Sequence, residues 1–205
     1  LAAMRLNWSQ GRWAYSPEYA NHAIGPNAGR IRQELYATLA DQWVTDDRRS
    51  HFISLLRDDR VARESLEWLG FGVTNVDGLR DLTSVPVGFG APIAVARASV
   101  ADIEAVVTLE QGLRDHLAAS PTFLRYPAMV RDELSGTLAD SATATLLAID
   151  EDGPLAFLRI GPHSTDASTI IRDAGTASIT RAFTRADRRS EGVARTLLDA
   201  ALTWA

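Results

Sequence analysis

The sequence contains neither cysteine nor lysine. None of the 205 residues is Cys, and all 21 basic residues are Arg. The first absence excludes disulfides, thiolate metal sites and a cysteine nucleophile, and the second excludes a Schiff-base lysine and the lysine of a P-loop. No apolar run approaches the about 20 residues that span a bilayer, and the first residues lack a signal-peptide pattern. We therefore expect a cytoplasmic protein with no membrane partner.

The composition that remains is typical of a globular protein. Hydrophobic residues make up 46% of the chain and charged residues 23%, which is enough apolar material for a packed core. A net charge of -5 makes a broad nucleic-acid-binding surface unexpected. The frequent use of Arg, Ala and Asp indicates a bacterial genome rich in GC. The length suits one large domain or two small ones.

In the first part of the chain, hydrophobic periodicity predicts a long helix at 30–45. Ile31, Leu35, Leu39 and Trp43 recur every four residues and should face the core. The other elements predicted here are strands at 11–15, 51–56 and 73–82 and a short helix at 60–69. The segment 83–92 has two prolines and two glycines, which favour a linker.

The second part begins with a predicted strand at 93–98. Ser99 and Asp102 have the spacing of a capping box, which predicts a helix that runs to about residue 117. The remaining predicted elements are helices at 127–138 and 192–204 and strands at 143–149, 154–160 and 177–183. The sequence of 150–153 predicts a hairpin turn between the first two of these strands.

Two predicted helices resemble one another. Leu35–Trp43 is similar to Leu197–Trp204, and each helix follows a strand-like segment. An internal repeat would explain the match, and so would the general likeness of amphipathic helices.

The segment 179–198 combines a strand, an arginine-rich turn, small residues and the start of a helix. A helix N-terminus offers unpaired N–H groups and the positive end of the helix dipole, which together bind phosphate. Gly192 and Ala194 lack bulk, so an anion can approach the backbone. Positive charge comes from Arg185, Arg188, Arg189 and Arg195. The alternative interpretation is an ordinary surface turn with solvated arginines.

The run Arg189-Ser190-Glu191-Gly192-Val193-Ala194 resembles motif A of the GNAT N-acetyltransferases, Gln/Arg-x-x-Gly-x-Gly/Ala. The order of predicted elements from 93 to 205 is also similar to that family. The resemblance implies an α/β (α+β) fold with a mixed, mostly antiparallel central sheet flanked by helices, acetyl-CoA as co-substrate, and no metal. Glu191 departs from the family, in which a neutral or basic residue is commoner. The residues implied to bind acyl-CoA are Phe183, Thr184, Arg189, Ser190, Gly192, Val193, Ala194 and Arg195.

The first part of the chain also resembles this family. Residues 51–56 and 67–72 are similar to its later strand and helix exit, and 13–18 to its central strand. Between them, 24–30 lacks the spacing of motif A, so this copy is not expected to bind CoA in the usual way.

The resemblance implies a tandem arrangement with two partial repeats. Residues 1–82 would be the C-terminal half of a first, degenerate repeat, 83–92 a linker, and 93–205 a second repeat that lacks its C-terminal strands. Three explanations account for this pattern. The chain could be shortened at both ends, the sequence could contain the ordered residues alone, or a half-repeat could complete a neighbouring sheet.

The catalytic groups are not assigned by the sequence. The strand 177–183 contains no carboxylate where the family often has a glutamate base. The backbone N–H of Thr184 is the candidate oxyanion donor, and Tyr126 is a candidate acceptor-binding residue. The histidines lack ligand-like spacing, so no metal site is expected.

The leading functional hypothesis is an acyl-CoA-dependent N-acetyltransferase that transfers an acetyl group to a primary amine. The acceptor would be a small molecule or a peptide, and a homodimer is compatible with the resemblance. The alternative is a non-catalytic CoA-binding or protein-interaction module of GNAT fold. A third interpretation is that the loop is a structural relic that binds no CoA.

Overall fold

The computed structural model describes residues 4–8, 11–83, 91–120, 130–162 and 175–205. The chain divides into two compact units, Leu1–Val76 and Asp77–Ala205. The first unit contains β1 (Met4–Trp8), β2 (Gly11–Ser16), α1 (Ala28–Thr45), β3 (Ser50–Ile53) and α2 (Arg60–Glu67). The second contains β4 (Ala94–Arg97), α3 (Ile103–Ala119), α4 (Arg131–Ala139), β5 (Ala144–Asp150), β6 (Gly153–Pro162), β7 (Ala177–Thr184) and α5 (Val193–Trp204).

The first unit is built on a three-stranded sheet in the order β1-β2-β3. β1 pairs antiparallel with β2, whereas β2 and β3 are parallel and are connected through α1. Parallel neighbours require such a crossover, and a helix is its usual form. Trp43 of α1 is 4% exposed and packs edge-on against Tyr36 and His51. The core of this unit is therefore rich in aromatic rings.

The second unit is built on an antiparallel sheet in the order β4-β5-β6-β7. Side chains of β5 and β6 alternate between two apolar clusters because successive residues of a strand face opposite sides. One cluster joins Leu158 to Leu197 of α5, and the other joins Phe157 to Leu109 of α3 and Leu134 of α4. Helices thus cover both faces of the sheet.

The capping box predicted before α3 is confirmed. Asp102 accepts hydrogen bonds from the Ser99 backbone N–H at 2.8 Å and the Ser99 hydroxyl at 2.9 Å. The Ser99 hydroxyl in turn accepts one from the Ala101 N–H at 3.2 Å. These contacts open a short 3-10 turn, Val100–Asp102, which leads directly into α3.

The predicted fold class is confirmed: the structure is mixed α/β, with a mostly antiparallel sheet flanked by helices. The strand predicted at 73–82 is wrong, because this described segment has no regular secondary structure. Asn75, Asp77 and Gly78 interrupt its apolar residues, and Val76 remains 79% exposed. β1 was missed by the sequence analysis.

The apolar stripe predicted on α1 is only partly buried. Trp43 lies in the core, but Ile31 and Leu35 are each 37% exposed. Arg32 is instead 2% exposed, because its guanidinium donates to the Asn21 carbonyl and to Asp59. Within the described residues, every helix is too short or too polar to cross a membrane.

Candidate anion-binding site

The site begins where β7 ends. The Arg185 N–H donates to the Leu155 carbonyl of β6 at 3.0 Å. Peptide groups of a strand alternate in direction, so the N–H and C=O of the preceding residue, Thr184, are directed away from β6. Arg189 Nε donates to that Thr184 carbonyl at 3.2 Å. The Thr184 N–H, the predicted oxyanion donor, therefore faces the side of β7 on which the loop lies.

Two residues with left-handed backbone conformation shape the loop between β7 and α5. Ser190 has φ 66° and Gly192 has φ 84°. Gly192 is the N-cap residue of α5, and no side chain caps this helix. The first N–H groups of the helix thus have no capping side chain, which leaves donors and the positive end of the dipole for an anion.

The short distance between Gly192 and Ala91 also disfavours a side chain at this position. A Cβ atom at this position would lie 3.2 Å from the Ala91 backbone nitrogen and 3.6 Å from the Ala91 Cβ. Ala91 is held beside the loop because its carbonyl accepts a hydrogen bond from the Thr196 hydroxyl at 3.0 Å. The positive φ and the close neighbour both favour glycine here.

An open pocket of about 260 Å³ lies at this helix N-terminus. It is lined by Thr184, Arg188, Arg189, Ser190, Gly192, Val193 and Ala194. Two predicted residues do not line it. The Phe183 ring packs against α3, where a Cβ at Gly112 would lie 2.7 Å from the ring, and Arg195 pairs with Asp199 at 3.7 Å. Arg188, which the resemblance did not include, is part of the lining.

Carboxylates accompany most of the arginines that the sequence analysis counted as positive charge. Arg185 donates to both oxygens of Asp187, at 3.2 and 2.6 Å. Arg188 donates through Nε to Glu191 at 2.9 Å and through Nη1 to Asp150 in the β5–β6 turn. The electrostatic attraction of the loop for an anion is therefore weaker than its arginine content suggests.

Arg189 differs from these arginines. Its Nε is bonded to a carbonyl, and its Cζ lies 5.8 Å from the centroid of the Phe183 ring. Among the residues that the structure describes, no carboxylate forms an ion pair with it. Arg189 is consequently the lining arginine whose charge is most available to an anion.

The ion pairs of the loop shift the titration of their members. The hydrogen bond from Arg188 holds the pKa of Asp150 below its ordinary range, and the Arg185 hydrogen bond does the same for Asp187. The pKa of Arg188 is raised by Glu191 and Asp150. These directions keep Asp150, Asp187 and Arg188 charged at neutral pH, so the Asp150–Arg188 and Arg185–Asp187 pairs persist there.

A buried ion cluster fixes α3 on the sheet beside this site. Glu110 of α3 is 2% exposed and lies 2.9 Å from Arg159 of β6 and 3.1 Å from Arg181 of β7. Burial lowers the pKa of Arg159. Together with the Gly112 contact, the cluster holds α3 against the end of β7. Nothing in the local sequence pattern marked Glu110 as buried.

The structure does not describe the remaining candidate residue. Tyr126, the predicted acceptor-binding residue, lies outside the described residues. In the described ranges, no group of three or more His, Asp or Glu residues could hold a metal ion. The site is thus made of backbone amides, small residues and arginines.

No family model matches the chain, and no curated protein matches it. Among solved structures, the chain is similar to a mutant of the BH1408 protein from Bacillus halodurans, with 17% identity over 55% of this chain and 74% of that one and a TM-score of 0.47. It is similar to an aminoglycoside 6'-N-acetyltransferase from Acinetobacter haemolyticus, with 17% identity over 55% and 70% of the two chains and a TM-score of 0.43.

A third similar structure is the ribosomal-protein-alanine N-acetyltransferase from Brucella melitensis biovar Abortus, with 16% identity, coverage of 53% and 67%, and a TM-score of 0.37. In the second unit itself, strand, two helices, hairpin, strand, loop and helix follow one another in the order that the sequence pattern predicted.

Proposed function

We propose that this chain is an acyl-CoA-dependent N-acetyltransferase that transfers an acetyl group to a primary amine. The observation that carries the proposal is the uncapped N-terminus of α5, which opens onto a pocket lined by the motif A residues at the end of β7. A pyrophosphate is the anion expected at such a loop, since backbone amides and a helix dipole bind it without lysine.

The residues present fit the CoA pyrophosphate. The amides at the start of α5, with Ser190 and Val193 beside them, would receive its oxygens, and Arg189 would supply the charge. Gly192 allows the loop to pass beside Ala91 with a positive φ, because a side chain there would be crowded by Ala91. When bound, acetyl-CoA supplies an acetyl group activated as a thioester.

The strand edge contributes a further group to the proposed reaction. The Thr184 N–H is directed away from β6, and its residue lines the pocket. In the proposal it donates a hydrogen bond to the thioester carbonyl oxygen as negative charge develops there. Phe183 contributes its backbone, since its ring is occupied against Gly112.

The acceptor is proposed only as a primary amine on a small molecule or a peptide. The ammonium must lose a proton before its nitrogen attacks the carbonyl, and the thiol leaves with a proton. β7 carries the sequence ASITRAFT, which contains no carboxylate, histidine or tyrosine. A base that acts through water is therefore part of this proposal.

The absence of a carboxylate, histidine or tyrosine from β7 favours a second candidate function. A strand without an acid or base next to an intact anion pocket suits a non-catalytic CoA-binding or interaction module. Turnover separates the two candidates, because only the enzyme produces free thiol when acetyl-CoA and an amine are supplied together.

We also propose that residues 1–82, which include the first unit, are the C-terminal half of a first, degenerate GNAT-like repeat. Its order of strand, helix, parallel strand and helix, from β2 to α2, supports this arrangement. The loop before α1 is held internally, because Asn21 donates to the carbonyls of Pro17 and Ser54 at 2.8 and 2.9 Å. This unit is therefore proposed not to bind CoA.

Calorimetric titration with acetyl-CoA tests the proposed function. The wild-type chain should bind, and Gly192→Asp should abolish binding because it adds bulk and negative charge to the anion pocket. Gly25→Asp is the matched control: Gly25 also has positive φ, 98°, but its Cβ would meet nothing within 4 Å. That variant should bind like wild type. Absence of wild-type binding would refute both CoA-dependent candidates.

A further inference from the structure

We infer that Asp150, in the turn between β5 and β6, is a positioning residue for the anion-binding loop. It acts through Arg188, which holds the Glu191 carboxylate away from the pocket. The inference rests on the proposed function, because it concerns how the loop accepts the CoA pyrophosphate. We refer to the three side chains as the Asp150–Arg188–Glu191 linkage.

Glu191 lies in the loop where its carboxylate could repel a bound anion. Ser190 and Gly192 both line the pocket, and Glu191 between them does not. Both neighbours have positive φ, 66° and 84°, so the backbone reverses around Glu191. A free carboxylate on this turn would lie close to a bound pyrophosphate and repel it.

Arg188 is suited to hold that carboxylate. Its guanidinium is planar, and its N–H groups point in fixed directions, so a partner on one edge orients the other edge. Nε donates to Glu191 at 2.9 Å while Nη1 donates to Asp150. The side chains of Arg188 and Asp150 are each 25% exposed, so this end of the linkage is partly shielded from water, whereas Glu191 is 47% exposed.

Asp150 is itself fixed by the turn. One of its carboxylate oxygens accepts the Asp152 N–H at 2.9 Å, and the other accepts from Arg188. The pair of Arg188 with Glu191 alone would resemble an ordinary surface ion pair, which contributes little order. Asp150 therefore provides the anchored end of the linkage, and the sheet provides its position.

The direction in which Asp150→Asn changes the affinity for CoA distinguishes the positioning role from a purely electrostatic effect of the Asp150 charge. Asp150→Asn removes a negative charge near the site, so a pure field effect would strengthen CoA binding. The positioning role predicts the opposite, a loss of about fivefold in affinity. Asp152→Asn is the matched control, since it removes a carboxylate from the same turn without touching Arg188, and it should not weaken binding.

The experiment is a double-mutant cycle measured by calorimetry with CoA. In the Glu191→Gln background, Asp150→Asn should no longer weaken binding, because no carboxylate remains to be held away. An equal loss in both backgrounds would indicate a general structural role and would overturn the inference. Unchanged or tighter binding by Asp150→Asn alone would also overturn it.

Hydrogen exchange of the ligand-free protein makes the test independent of CoA. Asp150→Asn should accelerate exchange of the amides from 188 to 192, and Asp152→Asn should not. If the wild-type chain binds no CoA, the proposed function fails by itself. The exchange result then still decides the linkage: unchanged exchange in Asp150→Asn overturns it, and faster exchange confined to 188–192 supports it.

Discussion

Both units contain a strand that leads through a loop into a helix, and the two loops use their polar groups in different ways. Between β2 and α1, the Asn21 side chain is 4% exposed and donates to the carbonyls of Pro17 and Ser54. Arg32 reaches back from α1 to the Asn21 carbonyl at 3.1 Å. The side chain and the carbonyl of Asn21 are thus both bonded within the protein.

Between β7 and α5, the polar side chains pair at the sides of the loop and leave its centre open. Arg188 is held by Asp150 and Glu191, and Arg189 by the Thr184 carbonyl. Neither α1 nor α5 has a side-chain cap, so the difference between the two loops lies in the residues that precede each helix. The same path of the chain can therefore be closed by an internal amide or be left to receive an anion.

The helix termini differ in the same way. At the start of α1, a Cβ on Gly29 would lie 3.0 Å from Ser65 Oγ, so α2 packs closely against the first turn of this helix. At the start of α5, the neighbouring backbone of Ala91 lies beside Gly192 but leaves a pocket of about 260 Å³. Substitutions should consequently affect stability in the first unit and ligand binding in the second.

The largest expected effect is that of Asn21→Ala on the first unit. The substitution leaves the Pro17 and Ser54 carbonyls without their donor, which should lower the free energy of unfolding by about 2–4 kcal/mol. Denaturant unfolding monitored by tryptophan fluorescence measures it. Asn27→Ala is the control, because the exposed Asn27 makes no capping hydrogen bond and its loss should cost at most about 0.5 kcal/mol. A weaker CoA affinity without loss of stability would contradict the comparison.

The next largest effect is expected when a methyl group is added at Gly192, and Gly25, which also has positive φ, provides the comparison. Gly192→Ala places a Cβ 3.2 Å from the Ala91 nitrogen and strains a left-handed residue that lines the pocket, so CoA affinity should fall about tenfold. Gly25→Ala meets nothing within 4 Å and should leave affinity unchanged, with a small loss of stability from its φ of 98°. Equal affinity losses in both variants would remove the distinction between the loops.

A smaller difference in CoA affinity is expected between alanine variants of two arginines in the loop between β7 and α5. Arg189→Ala removes the lining charge that has a carbonyl rather than a carboxylate as partner, and CoA affinity should fall about fivefold. Arg185→Ala removes a charge already paired with Asp187 and should change affinity by about twofold at most. Titrations at two salt concentrations should show that the Arg189 contribution weakens as salt rises.

These contrasts also show what the sequence could predict. The pocket lining from Thr184 to Ala194 is nearly contiguous, so a short motif followed by a helix signal predicted most of these residues, though not Arg188. Strand and helix periodicity placed β5, β6 and α5 within a few residues. These features depend on local geometry, which neighbouring residues determine.

The features that the sequence analysis missed depend on contacts between distant residues. Asp150 lies 38 residues from Arg188, and Glu110 lies 71 residues from Arg181. A carboxylate on a helix is usually solvated, so its position gave no signal that Glu110 is buried between arginines. The strand predicted at 73–82 failed for a related reason, since apolar residues alone do not supply a partner strand.

The smallest expected effects concern how stability depends on pH. The first unit should lose stability at alkaline pH and the second at acidic pH. Burial raises the pKa of Tyr36 in the first unit above its ordinary value of 10.0. Its contribution to stability is therefore complete below about pH 10 and is lost as the pH rises through the raised value. Tyr36→Phe should remove this alkaline dependence.

In the second unit, the Arg188 hydrogen bond lowers the pKa of Asp150 below its ordinary value of 3.8. A lowered pKa contributes stability above the ordinary value, and this contribution is lost as the pH falls through the lowered one. The loop should therefore stay ordered to below about pH 4. Carbon-13 NMR titration of the side-chain carboxyl measures the midpoint directly, and Arg188→Met should raise it toward the ordinary value, because the hydrogen bond from Arg188 is the largest cause of the shift. A wild-type midpoint at or above 3.8 would show that Arg188 does not hold Asp150 in solution, and the second loop would then lack the anchor that distinguishes it from the first.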